Sequence, residues 1–277
     1  MGIRTDISWC DSTLNLQMGC QGCELWTSKV HSCYAGLMTR EFAGRKGWPA
    51  SFDQPAIFPE RIKAAQSWSD LRGVVRADKP WIPPEMPRLI FLNDMGDTFT
   101  DGLSVDWLAE FVPALESTPH IYMILTKRPR RMLRFFDRLG RVPEKFCPGV
   151  SITDETTARA RLPLLRELDA HPIFVSFEPM LGPAYLSLHL SIEIGISMFI
   201  FGGESGHGFS VLDLDALQFN IDECRNYGVR VFVKQDSSIR PGSWGRIPHR
   251  LRIREFPDYL GPAPDDEEHE KQLGLFW

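Results

Sequence analysis

Several features that would settle a chain's class at once are missing from this sequence. No apolar run reaches the roughly 18 residues needed to cross a bilayer, so no membrane-spanning helix and no membrane partner are expected. The first residues, Met1 to Asp6, contain no apolar stretch of the signal-peptide kind, so the chain is expected to be cytoplasmic. Cysteine is sparse, six in 277 residues, which excludes a disulfide-stapled scaffold. Hydrophobic residues make up 43% and charged residues 24%, which excludes a disordered, collagen-like or coiled-coil chain. The length suits one large domain, or at most two, and is ample for a sizeable core.

A strong charge of either sign is also lacking. The formal net charge is −5. Asp265, Asp266, Glu267, Glu268 and Glu270 against Lys271 account for most of it, so the mild acidity is local and does not exclude a nucleic-acid partner. Residues 261–277 are expected to form a mobile acidic tail.

What is present is a repeated alternation. Short apolar runs at Arg88–Asn93, Ile121–Thr126, Cys147–Ile152, Pro172–Phe177, Met198–Gly202 and Val229–Val233 start about 25 to 35 residues apart. Continuous runs of this length read as strands buried on both faces, hence parallel sheet. Apolar stripes within 104–117, 129–139, 155–168 and 213–227 read as helices between them. This predicts βαβ units building a full or partial (β/α) barrel of parallel strands, TIM-barrel-like, with a doubly wound sheet as the alternative. Residues 88–260 hold the βα repeats. Residues 1–87 are less regular and are expected to complete the same domain, with a short strand at Ile7–Trp9 and helices at Tyr34–Arg45 and Pro59–Trp68.

In such folds chemistry gathers at the carboxyl ends of the strands. There the sequence places Asn93, Asp94, Lys127, Ser151, Glu178, Gly202, Gly203, Glu204 and Lys234. Loops are polar in any protein, but a carboxylate such as Glu178 closing a buried strand needs a partner or a task. Two lysines of the same placement, Lys127 and Lys234, suggest a pocket for a charged ligand. Gly202-Gly203 allows close backbone approach.

Three of the six cysteines crowd into fourteen residues. Cys20, Cys23 and Cys33 give the spacing Cys-x2-Cys-x9-Cys. Three thiolates can hold a [4Fe–4S] cluster and leave the fourth iron open. With His31 the same loop can instead close a structural Cys3His zinc tetrahedron. Cys224 lies on an apolar helix face and Cys147 in a strand, so both read as core.

Together with this loop, an ordered set of segments resembles a phage-associated three-cysteine-motif family of unassigned activity. The segments are Ile7-Ser-Trp9, Asn15, Gly19-Cys20, Cys33-Tyr34-Ala35, Leu125-Thr-Lys-Arg-Pro129, Gly149-Val-Ser-Ile152, Glu178-Pro-Met-Leu-Gly182, Gly202-Gly-Glu-Ser-Gly206 and Val233-Lys-Gln235. The family is similar in layout to radical S-adenosylmethionine enzymes. This sequence departs from their usual loop, Cys-x3-Cys-x2-Cys, and from the expected family form, in which the close pair comes last, because here the close pair comes first. The resemblance implies a radical-SAM-like fold and a [4Fe–4S] cluster on Cys20, Cys23 and Cys33 that binds S-adenosylmethionine and generates a 5′-deoxyadenosyl radical. It implies a reducing electron donor such as flavodoxin or ferredoxin. It implies that Glu204 or Asp94 holds the methionine ammonium, that Glu178, Ser151 and Asn93 bind ribose hydroxyls, and that Lys127 and Lys234 hold a carboxylate or phosphate.

Lys127, Arg128, Arg130, Arg131, Arg134, Arg138 and Arg141 form a basic stretch, and Arg240, Arg246, Arg250, Arg252 and Arg254 a second one near Trp244. These make a nucleotide or nucleic acid a candidate substrate. Two rival functions stand beside the radical enzyme: a zinc-stabilised nucleic-acid-binding protein without redox chemistry, and a barrel hydrolase or lyase using Glu178 and Glu204 as an acid/base pair.

Overall fold

A computed structural model of the chain describes residues 2–168, 172–186 and 195–258. The acidic tail expected at 261–277 lies outside them. Seven parallel strands form one curled sheet, a half-barrel. They are β1 (Ser12–Leu14), β4 (Leu89–Leu92), β5 (Ile121–Thr126), β6 (Phe146–Ile152), β7 (Ile173–Phe177), β8 (Ile196–Gly202) and β9 (Arg230–Gln235), side by side in chain order. Because chain order and spatial order agree, the sheet has no reversal point. That answers the question left open by the sequence: a doubly wound sheet needs such a reversal, and a partial barrel does not. A two-stranded antiparallel ribbon, β2 (Gln17–Met18) with β3 (Ala56–Ile57), stands apart.

The helices are α1 (Tyr34–Phe42), α2 (Ile62–Ser67), α3 (Val112–Glu116), α4 (Pro129–Leu139), α5 (Glu155–Arg161) and α6 (Leu214–Asn226). Local chemistry sets their limits. Helix α4 begins on Pro129 and ends at Gly140 with φ 76°, the expected proline–glycine asymmetry. Asp154 caps α5 in a reciprocal box with Thr157. The stripe expected over 155–168 continues past α5 only as a 3-10 turn, Leu162–Glu167, which opens on Leu162-Pro163. The helix expected over 104–117 shrinks to a 3-10 turn plus α3. The strand expected at Ile7–Trp9 forms instead at Ser12–Leu14, and Trp9 is core.

Strand residues alternate between two cores. Tyr122, Ile124, Val150, Ile152, Val175, Phe177, Phe199, Phe201, Val231 and Val233 face the helices. Met123, Cys147, Phe174, Met198, Ile200 and Phe232 face the concave side, with Trp9 and Phe91. Trp9 packs on Phe91 at 4.7 Å and on Phe174 at 6.0 Å between ring centroids. Cys147 and Cys224 are buried core residues, and so is Cys10.

The two free edges of the half-barrel are tied together without an eighth strand. Residues 253–255 run antiparallel to β9 through Val233 N–H to Ile253 O (2.7 Å) and Glu255 N–H to Val231 O (2.8 Å). Between them Arg254 lays its guanidinium 3.8 Å from the Trp81 ring centroid and 4.7 Å from that of Trp244. The Trp81 indole N–H in turn donates to Ser8 O at 2.8 Å, just ahead of β1. A partly buried cation–π stack of this kind is worth about 1 kcal/mol.

Candidate functional site

The inward-facing positions change character toward the carboxyl ends of the strands. Beyond the apolar positions lie Ser151 on β6, Ser176 on β7, Glu178 just after β7, Gly202 at the end of β8 and Lys234 on β9. The Lys127 ammonium donates to Ser151 Oγ at 2.9 Å. The Lys234 ammonium pairs with Glu178 Oε1, both side chains largely buried. A Cβ on Gly202 would stand 3.3 Å from the Glu178 carboxyl carbon, so glycine keeps that space clear. Of the residues expected at the strand ends, Lys127 thus meets Ser151, and Glu178 meets Lys234 beside Gly202.

Asp94, just past β4, belongs with them. Its Oδ1 accepts from Asn15 Nδ2 at 2.7 Å. The Tyr34 hydroxyl donates to the Asp94 carbonyl and faces its Oδ2 at 3.4 Å. Burial raises the Asp94 pKa, against the opposing pull of its hydrogen bonds. Tyr34 thus links the cysteine loop to the polar rim. Sequence reading quoted Cys33-Tyr34-Ala35 but gave Tyr34 no role, because nothing local shows that its hydroxyl reaches a residue sixty positions away.

Three residues expected to bind ligand are engaged in holding the fold. Asn93 sits at φ 64°; its Oδ1 accepts from Gln17 N–H (2.9 Å) and its amide donates to Thr98 (3.0 Å), which makes it a turn former. A Cβ on Gly203 would collide with the Ser237 backbone, so that glycine serves sheet packing. Glu204 accepts from Ser210 N–H at 2.8 Å within its own loop. Glu178 and Glu204 are held by separate partners and are not bonded to each other.

The cysteine loop lies across the ends of β4, β5 and β6. Gly19 bridges Gly96, Cys20 N–H donates to Phe52 O at 2.6 Å, and a tight turn joins Cys23 to Trp26. Cys20 and Cys33 share a small apolar cluster with Met18, Ala35, Phe52, Met95 and Trp26. Two arginines anchor the loop from the sheet. Arg128 reaches Gly22 O (2.6 Å), Asp97 (3.4 Å) and Cys20 Sγ (3.4 Å). Arg161 grips Glu24 with both terminal nitrogens, at 2.9 and 2.8 Å. Although burial acts the other way, Arg161 and Lys127 hold the Glu24 pKa down to about 2.

Burial, then the Asp97 charge, raises the Cys20 pKa to about 11 despite Arg128, and burial raises that of Cys23. Among the described residues no three His, Cys, Asp or Glu side chains converge on one metal position. His31 is exposed and packs edge-on against Trp26 at 4.8 Å.

The basic stretch is largely consumed in structure. Arg131 donates to the carbonyls of Phe99, Thr100 and Leu103, Arg138 pairs with Asp106 and Arg141 with Glu116. With Lys127 and Arg128 also engaged, only Arg130 and Arg134 of that stretch have no such tie among the described residues. In the second stretch Arg246 pairs with Asp236 and Arg254 is held between tryptophans.

Compared with known protein families, residues 4–257 match the family described as "Protein of unknown function (DUF5131)". The chain belongs to this family. The DUF5131 match spans the whole half-barrel and the cysteine loop, and its description assigns no activity. Comparisons with curated proteins and with solved structures found no match. Among the described residues of this DUF5131 chain, no helix is long and apolar enough to cross a membrane.

Proposed function

We propose that this chain is a radical S-adenosylmethionine enzyme whose [4Fe–4S] cluster is held by Cys20, Cys23 and Cys33. One observation carries the reading. The Lys127 ammonium, bonded to Ser151 Oγ, and the Asp94 carboxylate, bonded to Asn15, form no salt bridge among the described residues, and they follow adjacent strands. A cation and an anion that follow neighbouring strands complement a zwitterionic amino-acid group, beside a loop of three thiols.

The residues fit the implied groups in type, although among the described residues no three of them converge on one metal position. Three thiols on one loop suit a cluster that leaves one iron open, and Arg128 already directs a donor at Cys20 Sγ. Binding has to draw the thiols together and ionise them, as a metal does to a coordinating thiol. When bound, the cluster and S-adenosylmethionine supply a 5′-deoxyadenosyl radical by one-electron reductive cleavage of the sulfonium.

The chain's own residues do the rest. Lys127, oriented by Ser151, holds the carboxylate of the amino-acid group. Asp94, oriented by Asn15 and Tyr34, holds its ammonium. Glu178, paired with Lys234, accepts from sugar hydroxyls. Gly202 leaves room for the ligand beside Glu178. The aromatic floor of Trp9, Phe91, Phe174 and Phe232 keeps water out from below.

The test is anaerobic purification with iron, acid-labile sulfide and zinc measured together. About four irons and four sulfides per chain, lost in Cys20→Ala, followed by release of 5′-deoxyadenosine on reduction, is the expected result. One zinc without iron, lost in His31→Ala, would establish the Cys3His clip instead.

A further inference from the structure

Helix α1 starts at Cys33 and presents two unlike faces. Ala35, Gly36 and Thr39 are buried, and Gly36 is so close that an added Cβ would stand 2.5 Å from the Trp26 ring. On the other face Tyr34 (49% exposed), Leu37 (39%) and Met38 (41%) form a stripe at helical spacing, with Val30 (41%) on the loop before it. This apolar stripe is bordered by Lys29, Arg40, Arg45 and Lys46, all exposed, against one acid, Glu41. None of the four bases has a carboxylate partner among the described residues. The surface is therefore locally positive on a chain whose net charge is −5.

We infer that α1 and the loop before it are the docking face for a small acidic protein. On the reading proposed above, that partner is the one-electron donor to the thiol-held cluster, since the face begins at Cys33. A few apolar side chains bordered by one sign of charge match the small, transient interfaces of redox encounters. The bases supply steering, which speeds association and is screened by salt.

The experiment titrates the full-length chain with an acidic flavodoxin at low and high salt, beside the variants Met38→Asp and Arg40→Glu/Lys46→Glu. Binding that weakens at least about tenfold in each variant, and with added salt in the wild-type chain, supports the face. Circular dichroism and iron content unchanged in the variants exclude misfolding. Equal affinity of wild type and both variants overturns the proposal. So does sedimentation showing a dimer that Met38→Asp dissolves, or binding that appears only after residues 259–277 are removed, because the face then belongs to a second copy or to the chain's own end. If the purified chain holds no iron yet binds the flavodoxin in this salt-dependent way, the docking face stands and the cluster reading falls.

Discussion

The lower and upper halves of the concave face come from the same strands but do different work. The lower half is Trp9, Phe91, Met123, Cys147, Phe174 and Phe232, an apolar surface closed by aromatic contacts. The upper half is Lys127, Ser151, Glu178 and Lys234 with Asp94. Only two to four residues along each strand separate them. The sheet supplies rigidity below and places polar side chains above at defined spacing, so ligand contacts can vary without disturbing the core.

The largest expected effect tests the lower half. Phe174→Ala removes a fully buried ring that fills the space over Gly149, and urea unfolding should show a loss of about 3–5 kcal/mol. By contrast, Lys127→Met should leave unfolding within about 1 kcal/mol while lowering S-adenosylmethionine affinity about ten- to hundredfold by equilibrium dialysis. A comparable loss of stability in both variants would erase the distinction between the halves.

The loop above the rim has its own acid sensitivity. Glu24 has a folded pKa of about 2, lowered from 4.5. Its pairing with Arg161 therefore stabilises fully above about pH 4.5 and is lost as the pH falls toward 2. The loss is on the order of 2 kcal/mol. Fluorescence of the loop's Trp26 followed from pH 6 to pH 2 should report this transition ahead of global unfolding, and Arg161→Ala should abolish it as a separate step. The smallest effect belongs to Arg134→Ala. That side chain is exposed and has no hydrogen bond or ion pair among the described residues, and both stability and the site should stay within about 0.5 kcal/mol of wild type. A large loss of nucleic-acid affinity in that variant would revive the basic-helix reading.

Much of this arrangement is legible from the residues. Six of the seven parallel strands follow from apolar runs, because a strand buried on both faces records its burial locally. Strand β1 escapes that reading: Ser12-Thr13-Leu14 has almost no apolar character, and it is buried because β4 pairs beside it. Asp94, Lys127, Ser151, Glu178, Gly202 and Lys234 were legible as polar residues at strand ends. Asn93 and Gly203 carried the same signal yet hold a turn and pack against Ser237, and Glu204 bonds Ser210 in its own loop, since a strand-end position does not say which groups are already bonded.

By itself, then, the sequence determined the parallel βα pattern, the grouping of three cysteines on one loop and the belt of polar strand ends, all encoded by neighbours a few residues apart. The tertiary structure decided the singly wound order, the tie of Arg254 between Trp81 and Trp244, the reach of Tyr34 to Asp94 and the choice of which charges stay unpaired. Glu178 is neutralised by a lysine 56 positions away and Glu24 by an arginine 137 positions away. Ion pairing acts over a few ångströms of space, whatever the separation along the chain, so only the fold decides that Lys127 and Asp94 form no salt bridge among the described residues.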